Sequence, residues 1–199
     1  MDNWKRIIWS DEASFEIGEN VRQIRVLRKA DEKYNQDCLA PSFKSGRSSV
    51  MIWGAIAYGF KSELVIMDRT RRTAEDFVLQ AYEQGLRSLL SKVQDPILME
   101  DGAPVHRSKF PKEWRERNNV EKLDWPAQSP DLNPIENVWM VMKDRLQKNN
   151  PPISSIDDMK TALQLCWDSL DVISINKYIE TVPNRIKNVI KNKGKSTRW

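Results

Sequence analysis

Three acidic residues, Asp11, Asp101 and Glu136, have the residue type and sequence context needed to hold divalent cations. Asp11 follows the apolar run Ile7–Trp9, and Asp101 comes two residues after the similar run Ile97–Met99. Each run predicts a buried strand that delivers a carboxylate to its C-terminal edge. Three convergent carboxylates are poor proton shuttles but good ligands for hard cations such as Mg²⁺ or Mn²⁺, which take oxygen ligands.

A carboxylate cage of this kind suits phosphodiester chemistry. Two Mg²⁺ or Mn²⁺ ions roughly 4 Å apart would polarise the phosphodiester, activate a water or a 3′-hydroxyl, and stabilise the leaving oxygen. The sequence therefore predicts a metal-dependent site for cutting or joining nucleic acid strands.

Glu136 is placed by the proline-rich stretch that precedes it. The prolines at 126, 130 and 134 exclude regular structure up to Asn133, because proline fixes φ and restricts the residue before it. Asn133 is then a natural helix N-cap, Pro134 takes the first helical position, and Glu136 takes the third. A carboxylate in the first turn stays ionised beside the positive end of the helix, which suits a metal ligand.

Glu136 also has a simpler interpretation. An Asn-x-x-Glu helix start is a relative of the capping box, in which the glutamate only reaches back to the N–H of the cap. The rigid approach of about ten residues is more elaborate than a cap requires, since most connections are shorter. On the residues alone, a cap and a metal ligand both remain open.

The elements that must position these acids alternate along the chain. Predicted strands are Lys5 to Ser10, Val21 to Leu27, Ser49 to Tyr58, Leu64 to Met67, Ile97 to Met99 and Val120 to Leu123. Predicted helices are Thr73 to Lys92, Ser108 to Asn118, Asn133 to Lys148, Ser154 to Leu170, and Ile173 to Ile190 with an interruption near Pro183. This order predicts an α/β fold, a mixed sheet with helices on both faces and the acids at its strand ends.

The clearest boundary is Asn149-Asn-Pro-Pro. It predicts a catalytic domain over residues 1–150 and a helical extension over 151–199. Arg28 to Ser49 is polar and is expected to form a long excursion that grips a partner or is disordered.

Charge and composition restrict the class of protein. Lysine and arginine total 32 against 28 acids, and Asn184 to Trp199 carries six basic residues and no acid, so this tail holds the positive excess. The tail is either a solvated end or an electrostatic arm for a polyanion. No apolar run reaches the roughly 18 residues that span a bilayer, and no signal peptide is present, so we expect no membrane partner and an intracellular protein. Cys38 and Cys166 are expected to be reduced and buried.

Five segments together resemble the catalytic domain of mariner-superfamily transposases. They are Trp9-Ser-Asp-Glu-Ala-Ser-Phe15, Ser49-Val-Met-Ile-Trp-Gly54, Glu100-Asp-Gly-Ala-Pro-Val-His106, Asp124-Trp-Pro-Ala-Gln-Ser-Pro-Asp-Leu-Asn-Pro-Ile-Glu-Asn-Val-Trp139 and Ile190-Lys-Asn-Lys-Gly-Lys195. The resemblance covers nearly the whole chain. The long proline-bearing motif is highly specific, whereas Trp-Ser-Asp-Glu alone would be weak.

The resemblance implies a ribonuclease H-like fold, a mixed five-stranded sheet flanked by helices and followed by C-terminal helices. Its acidic triad maps onto Asp11, Asp101 and Glu136, with 34 residues between the last two. Glutamate as the third acid resembles the worm-type branch of the family. The implied cofactor is a pair of Mg²⁺ or Mn²⁺ ions.

The implied activity is cleavage of transposon ends and joining of the freed 3′ ends to target DNA, normally at a TA step, in the nucleus. DNA is the implied partner, with a homodimer as a candidate assembly. Complete members carry N-terminal helix-turn-helix modules, whereas this sequence begins shortly before the first catalytic strand.

Other residues are candidates for secondary roles. His106, the only histidine, resembles the family's Pro-x-His position and is expected either to support the metal site or to be a hydrogen-bonded structural group. Candidate DNA contacts are Arg71, Arg72, Arg107, Lys109, Lys143, Lys191, Lys193 and Lys195, all of which could instead be solvated. Lys143 is the best single candidate because it lies two helical turns after Glu136 on the same flank. Glu12 and Glu100 are expected on the opposite sheet face, as bystanders.

Three functions compete at this level. The first is a metal-dependent DNA strand transferase, and the second is a domesticated or inactive relic that binds DNA or protein. The third is a general ribonuclease H-like nuclease. The complete triad favours the first over the second, and the proline-bearing motif favours it over the third.

Overall fold

The central β-sheet is mixed and five strands wide. The computed structural model describes residues 3–17, 48–71, 73–126, 129–148 and 153–194. Its strands are β1 (Ile7–Glu16), β2 (Ser49–Ala57), β3 (Phe60–Lys61), β4 (Val65–Met67), β5 (Ile97–Met99) and β6 (Glu121–Lys122). Their order is β3-β2-β1-β5-β6, and β4 pairs with β2 along the edge that β3 also occupies. The sheet thus has six strands and not the predicted five, because its outer edge is divided into two short strands, β3 and β4.

Strand β1 has two different neighbours. It runs antiparallel to β2 from Trp9 to Glu16, and parallel to β5 only from Ile7 to Trp9. The prediction that this strand ends at Ser10 is wrong, because the antiparallel partner β2 supplies hydrogen bonds for six more residues. Asp11 instead lies just past the end of the parallel pairing.

The helices follow the predicted order. They are α1 (Ala74–Phe77), α2 (Arg87–Leu90), α3 (Pro104–Arg107), α4 (Lys109–Arg117), α5 (Ile135–Gln147), α6 (Ile156–Asp168), α7 (Val172–Glu180) and α8 (Val182–Lys191). A π-helical segment, Val78–Leu86, joins α1 to α2. Thr73 and Asp76 form a capping box at the start of α1. The chain breaks between α7 and α8 at Thr181, next to Pro183, as expected.

The sheet separates two hydrophobic clusters. On one face, Trp9 and Ile52 pack with residues of α5, α6 and α7, including Trp139, Trp167 and Ile179. The other face packs against the π-helical segment and α4. The alternation of Ile7, Ile8 and Trp9 between the two clusters is the period of two expected of a strand covered on both sides.

The C-terminal helices share their cluster with β1 and α5. Cys166 is a free, buried thiol in that cluster, as predicted. The predicted boundary at 149–152 lies outside the described residues, so the division at 150 stays a prediction. The predicted strand Val21 to Leu27, almost all of the Arg28 to Ser49 excursion, and Cys38 also lie outside them. Within the described ranges, no helix is long and apolar enough to cross a bilayer.

Gly85 allows the π-helical segment to lie directly on β2. A Cβ atom at this position would stand 2.8 Å from Trp53 Cε3 and 3.0 Å from Val65 Cγ2. We expect Gly85→Ala to lower the free energy of unfolding by about 1–3 kcal/mol, because the added methyl overpacks a closed core. Urea unfolding measures this. The exposed neighbour Gln84 provides a control, since Gln84→Ala should stay within about 0.5 kcal/mol of wild type. A Gly85→Ala protein as stable as wild type would contradict the close packing.

Candidate active site

Asp11, on β1, lies at the same level as Asp101, which follows the end of the adjacent strand β5. The last parallel pair is Trp9 with Met99, so Asp11 and Asp101 each stand two residues beyond it. Neighbouring strands are about 4.8 Å apart, which places the two backbones side by side. Ser10 reinforces this arrangement because its hydroxyl donates a hydrogen bond to the Met99 carbonyl, 2.8 Å away. The sheet therefore brings together two acids that are 90 residues apart.

Glu136 is the second residue of α5, which begins at Ile135 rather than at the predicted Pro134. Pro134 directly precedes α5 and makes no side-chain cap bond, but Asn133, one residue earlier in extended backbone, accepts a hydrogen bond from the Ile135 N–H at 3.3 Å and so takes the capping role. A capping box would also require Glu136 to accept the Asn133 N–H, but that N–H donates to the Pro130 carbonyl at 3.0 Å. The capping interpretation of Glu136 is therefore not realised in this structure.

Asn133 also fixes α5 against the sheet. Its side-chain amide donates to the carbonyl of Ser10 at 3.3 Å, and the residue is 7% exposed. Ser10 immediately precedes Asp11. One side chain thus caps the helix that carries Glu136 and ties that helix to the strand that carries Asp11.

Trp139 makes the direct contact to Asp11. Its indole Nε1 donates to Asp11 Oδ2 at 3.1 Å. The ring reaches the sheet across Gly54, which faces Asp11 on β2, and a Cβ at Gly54 would stand 2.8 Å from Trp139 Cη2. Trp167 stacks on Trp139 with ring centroids 5.5 Å apart. The sequence analysis did not find this polar role of Trp139, although its spacing of three residues from Glu136 places both on one side of α5.

The surroundings of Asp11 and Glu136 disfavour the ionised form of each carboxyl group. Burial, followed by the negative charges of Glu12 and Glu136, raises the pKa of Asp11 from its ordinary value of 3.8 to about 7, although the Trp139 hydrogen bond opposes the rise. Burial also raises the pKa of Glu136, while the charge of Lys143 opposes it. Asp11 and Glu136 are therefore close enough to repel, which a bound divalent cation would relieve.

The Asp101 side chain contacts its own turn and His106. Its side chain is 60% exposed, and its Oδ1 accepts the Ala103 N–H at 2.9 Å and lies 3.2 Å from His106 Nε2. Among the described side chains, no three His, Cys, Asp or Glu residues are close enough to surround an ion. The structure thus brings Asp11 and Glu136 together and places Asp101 beside them with its carboxylate bonded to its own turn. The all-oxygen donor set fits Mg²⁺ or Mn²⁺.

His106 links Asp101 to two acids on the opposite sheet face. His106 Nδ1 lies 3.3 Å from Glu100 Oε1, in an orientation that makes no hydrogen bond, and Nε2 lies 3.7 Å from Glu12 Oε2. Burial lowers the pKa of His106, but the interaction with Glu12 and the charges of the other acids outweigh burial and raise it. The predicted placement of Glu12 and Glu100 is confirmed, and both contact the histidine rather than standing apart from it.

Glu100 is the centre of a buried polar network behind the site. It is 2% exposed, accepts hydrogen bonds from Arg115 Nη1 at 2.9 Å and from the Tyr82 hydroxyl, and lies 3.5 Å from Lys122 Nζ. Arg115 also donates to the His106 carbonyl at 3.1 Å. This network holds the turn that follows β5.

The basic candidates have different surroundings. Lys143 is exposed, influences Glu136, and lies 5.7 Å from the centre of the Phe15 ring. Arg71 pairs with Asp76 at 2.8 Å, and Lys109 pairs with Glu113 at 3.7 Å, so both already have acidic partners. Arg107, Lys191 and Lys193 are exposed, whereas Arg72 and Lys195 lie outside the described residues. Arg185, counted with the basic tail, is buried.

Comparison with known proteins identifies the family of this chain. Residues 6–160 match the DDE superfamily endonuclease family. The chain belongs to this family. It is 31% identical over 206 residues to the transposable element Tc1 transposase of Caenorhabditis elegans, an alignment that covers 98% of this chain and 71% of that protein. The domain is accordingly a transposase catalytic domain of the Tc1/mariner type, as the sequence motifs indicated.

Solved structures confirm the ribonuclease H-like fold of this transposase domain. A structure of the Mos1 transposase catalytic domain and Raltegravir with Mn matches 98% of this chain and 86% of its own, with a TM-score of 0.73 and 18% identity. The Mos1 strand transfer complex matches with a TM-score of 0.74 and 19% identity. That alignment covers 98% of this chain and 56% of the Mos1 chain.

The charge of Asp11 predicts a pH dependence in metal-free transposase domain. Because the folded pKa is about 7 and the ordinary value is 3.8, stability from this group is complete below pH 4 and is lost as pH rises towards 7. We expect Asp11→Asn to be more stable than wild type at pH 8 by about 2–4 kcal/mol, and to lose this advantage at pH 4. Urea unfolding in chelator, repeated at both pH values, measures the difference. An advantage that does not change with pH would rule out the buried charge as its cause.

A second prediction concerns the indole contact. Trp139→Phe keeps most of the ring packing but removes the hydrogen bond that favours ionised Asp11, so the pKa of Asp11 should rise above its wild-type value. Titration of the Asp11 carboxyl carbon by NMR in metal-free protein measures it. Trp114→Phe, a tryptophan change in the other hydrophobic cluster, is the control and should leave the Asp11 titration in place. An unshifted titration in Trp139→Phe would show that the bond does not bias the acid.

Proposed function

We propose that this domain cuts DNA at transposon ends and joins the freed 3′ ends to target DNA. The observation that supports this proposal most directly is the strand register that sets Asp101, just after β5, level with Asp11 on β1, while α5 brings Glu136 near enough to influence the pKa of Asp11. The names of the relatives support the same reaction, since they describe a transposase and a strand transfer complex.

The residues that would hold the metal are Asp11, Asp101 and Glu136. Bound Mg²⁺ or Mn²⁺, two ions in our proposal, would polarise the phosphodiester and activate a water or a 3′-hydroxyl. Asp11 and Glu136 supply carboxylate oxygens from a partly buried site in which their mutual repulsion favours a cation. Asp101 would join them by leaving its contact with the Ala103 N–H, and His106 would hold its carboxylate near the site until then.

DNA is the proposed partner, with the phosphate backbone gripped beside the acids. Lys143 is our first candidate for this role, because it is exposed and lies on the helix that carries Glu136. Lys191 and Lys193 could extend the positive surface at the end of α8. By family resemblance we propose a TA step as the target, action in the nucleus, and a homodimer as the working assembly.

Glu136→Gln tests the reaction directly. Glutamine keeps the size and hydrogen-bonding reach of the side chain but removes the charge that holds a cation, so nicking or joining of a pre-cut 3′ end should fall by at least about 100-fold. Rates are measured with saturating Mg²⁺ and then Mn²⁺ on labelled duplexes that end in a free 3′-hydroxyl. Urea unfolding shows whether the variant remains folded.

Asp144→Asn is the matched control. Asp144 is an exposed acid on the same helix, paired with Lys148 at 2.6 Å, and its loss should change the rate less than about twofold. Wild-type rates in folded Glu136→Gln protein would remove Glu136 from the metal site. Wild-type protein that neither nicks nor joins with either cation would favour the inactive relic that binds DNA or protein.

A further inference from the structure

Arg185 is a buried arginine in α8, the most C-terminal helix of the described residues. It is 1% exposed. Its guanidinium donates hydrogen bonds from Nη1 to the Asp131 carbonyl at 3.1 Å, from Nη2 to the Asn137 side-chain oxygen at 2.5 Å, and from Nε to the Thr181 hydroxyl at 2.7 Å. The guanidinium keeps its charge in proteins, so these contacts are made by a buried cation.

Two of these contacts lie on either side of Glu136. Asp131 belongs to the 3₁₀ turn Pro130–Leu132 that leads into α5, and Asn137 directly follows Glu136 in its first turn. One planar group therefore holds both the approach to the helix and the helix itself. Asn133, between them, is fixed to β1 through the Ser10 carbonyl. Glu136 thus lies on a segment anchored to the sheet at one point and to Arg185 at two.

The helix that carries Arg185, α8, and the preceding α7 are themselves well packed. Val182, in the first turn of α8, is fully buried, and Ile175 and Ile179 of α7 are 1% exposed in the cluster that also contains α5. A donor held this firmly can hold its acceptors in place, whereas a donor on a loose tail could not. Burying a guanidinium costs stability unless its donors are satisfied, so these hydrogen bonds are needed to keep Arg185 in place.

We infer that Arg185 is a positioning residue for the metal-binding carboxylate Glu136, which makes the C-terminal helix α8 part of the catalytic site. This inference rests on the proposed function, because it takes Glu136 as a ligand. Arg185 touches no reacting atom and acts only through the backbone and side chain of the residues that flank Glu136. Lysine cannot replace it, since an ammonium lacks the planar fork that reaches both acceptors.

The test compares metal affinity with folding stability. Arg185→Met and Arg185→Lys remove the fork, and Asn137→Ala removes its acceptor from the other side, which provides a milder variant if the arginine changes do not fold. Mn²⁺ binding to the DNA-free protein is measured from the electron paramagnetic resonance signal of free Mn²⁺. Urea unfolding is measured in parallel, and strand joining is measured against Mn²⁺ concentration.

We expect Mn²⁺ affinity to fall about tenfold in Arg185→Met, and about three- to tenfold in Arg185→Lys and Asn137→Ala. The double variant Arg185→Met with Asn137→Ala should bind Mn²⁺ no more weakly than Arg185→Met alone, since both changes break one contact. Ile179→Ala is the control, because it destabilises the same helical region but leaves the hydrogen bonds from Arg185 to Asp131 and Asn137 in place. It should bind Mn²⁺ within twofold of wild type.

The outcomes separate this inference from the proposed function. If folded Arg185→Met, or folded Asn137→Ala where Arg185→Met does not fold, binds Mn²⁺ as tightly as wild type, Arg185 is a structural residue only and the inference is overturned. If affinity falls as expected while wild type joins no DNA ends, the positioning role stands and the proposed strand transfer fails. If Ile179→Ala weakens Mn²⁺ binding as much as Arg185→Met does, general destabilisation explains the effect and the inference is again overturned.

Discussion

The hydrogen bond from the Trp139 indole to Asp11 is the contact that relates the helix layer to the sheet at the site. Glu136 lies three residues before Trp139 on the same helix, so this one bond sets the distance between two acids that are far apart in sequence. It can form only because Gly54 leaves room for the ring over β2. A small residue on one strand, an aromatic residue on a helix and an acid on a second strand therefore act as one unit.

The acids at this site are held together by their surroundings and not by attraction to one another. Asp11 and Glu136 repel, and Asp101 bonds to its own turn and to His106. The energy that keeps the like charges near each other comes from the hydrophobic cluster that packs α5 on the sheet. Such an arrangement lowers the stability of the empty protein and leaves a region of negative potential for a divalent cation.

Features set by local chemistry could be predicted from the sequence, and features set by distant partners could not. The start of α5 was predicted to within one residue, because prolines and an Asn cap act over a few positions. The predicted end of β1 was wrong, because the strand is extended by its pairing with β2, which is more than 30 residues away in sequence. The role of Trp139 depends on a contact across 128 residues. Arg185, grouped with a basic tail, is buried by partners 48 and 54 residues earlier.

The pairing of β1 with β5 and the burial of Val182 have a consequence for the synthesis of this protein. The first strand joins a partner 90 residues later, and its hydrophobic cluster includes residues of α7 and α8. Contacts with such large sequence separation form slowly, because long loops must close before any contact is gained. The cluster cannot be complete on the ribosome until α8 has emerged. A nascent chain therefore carries all three acids before it has the packed support that gathers them, which delays any cutting activity until the domain is whole.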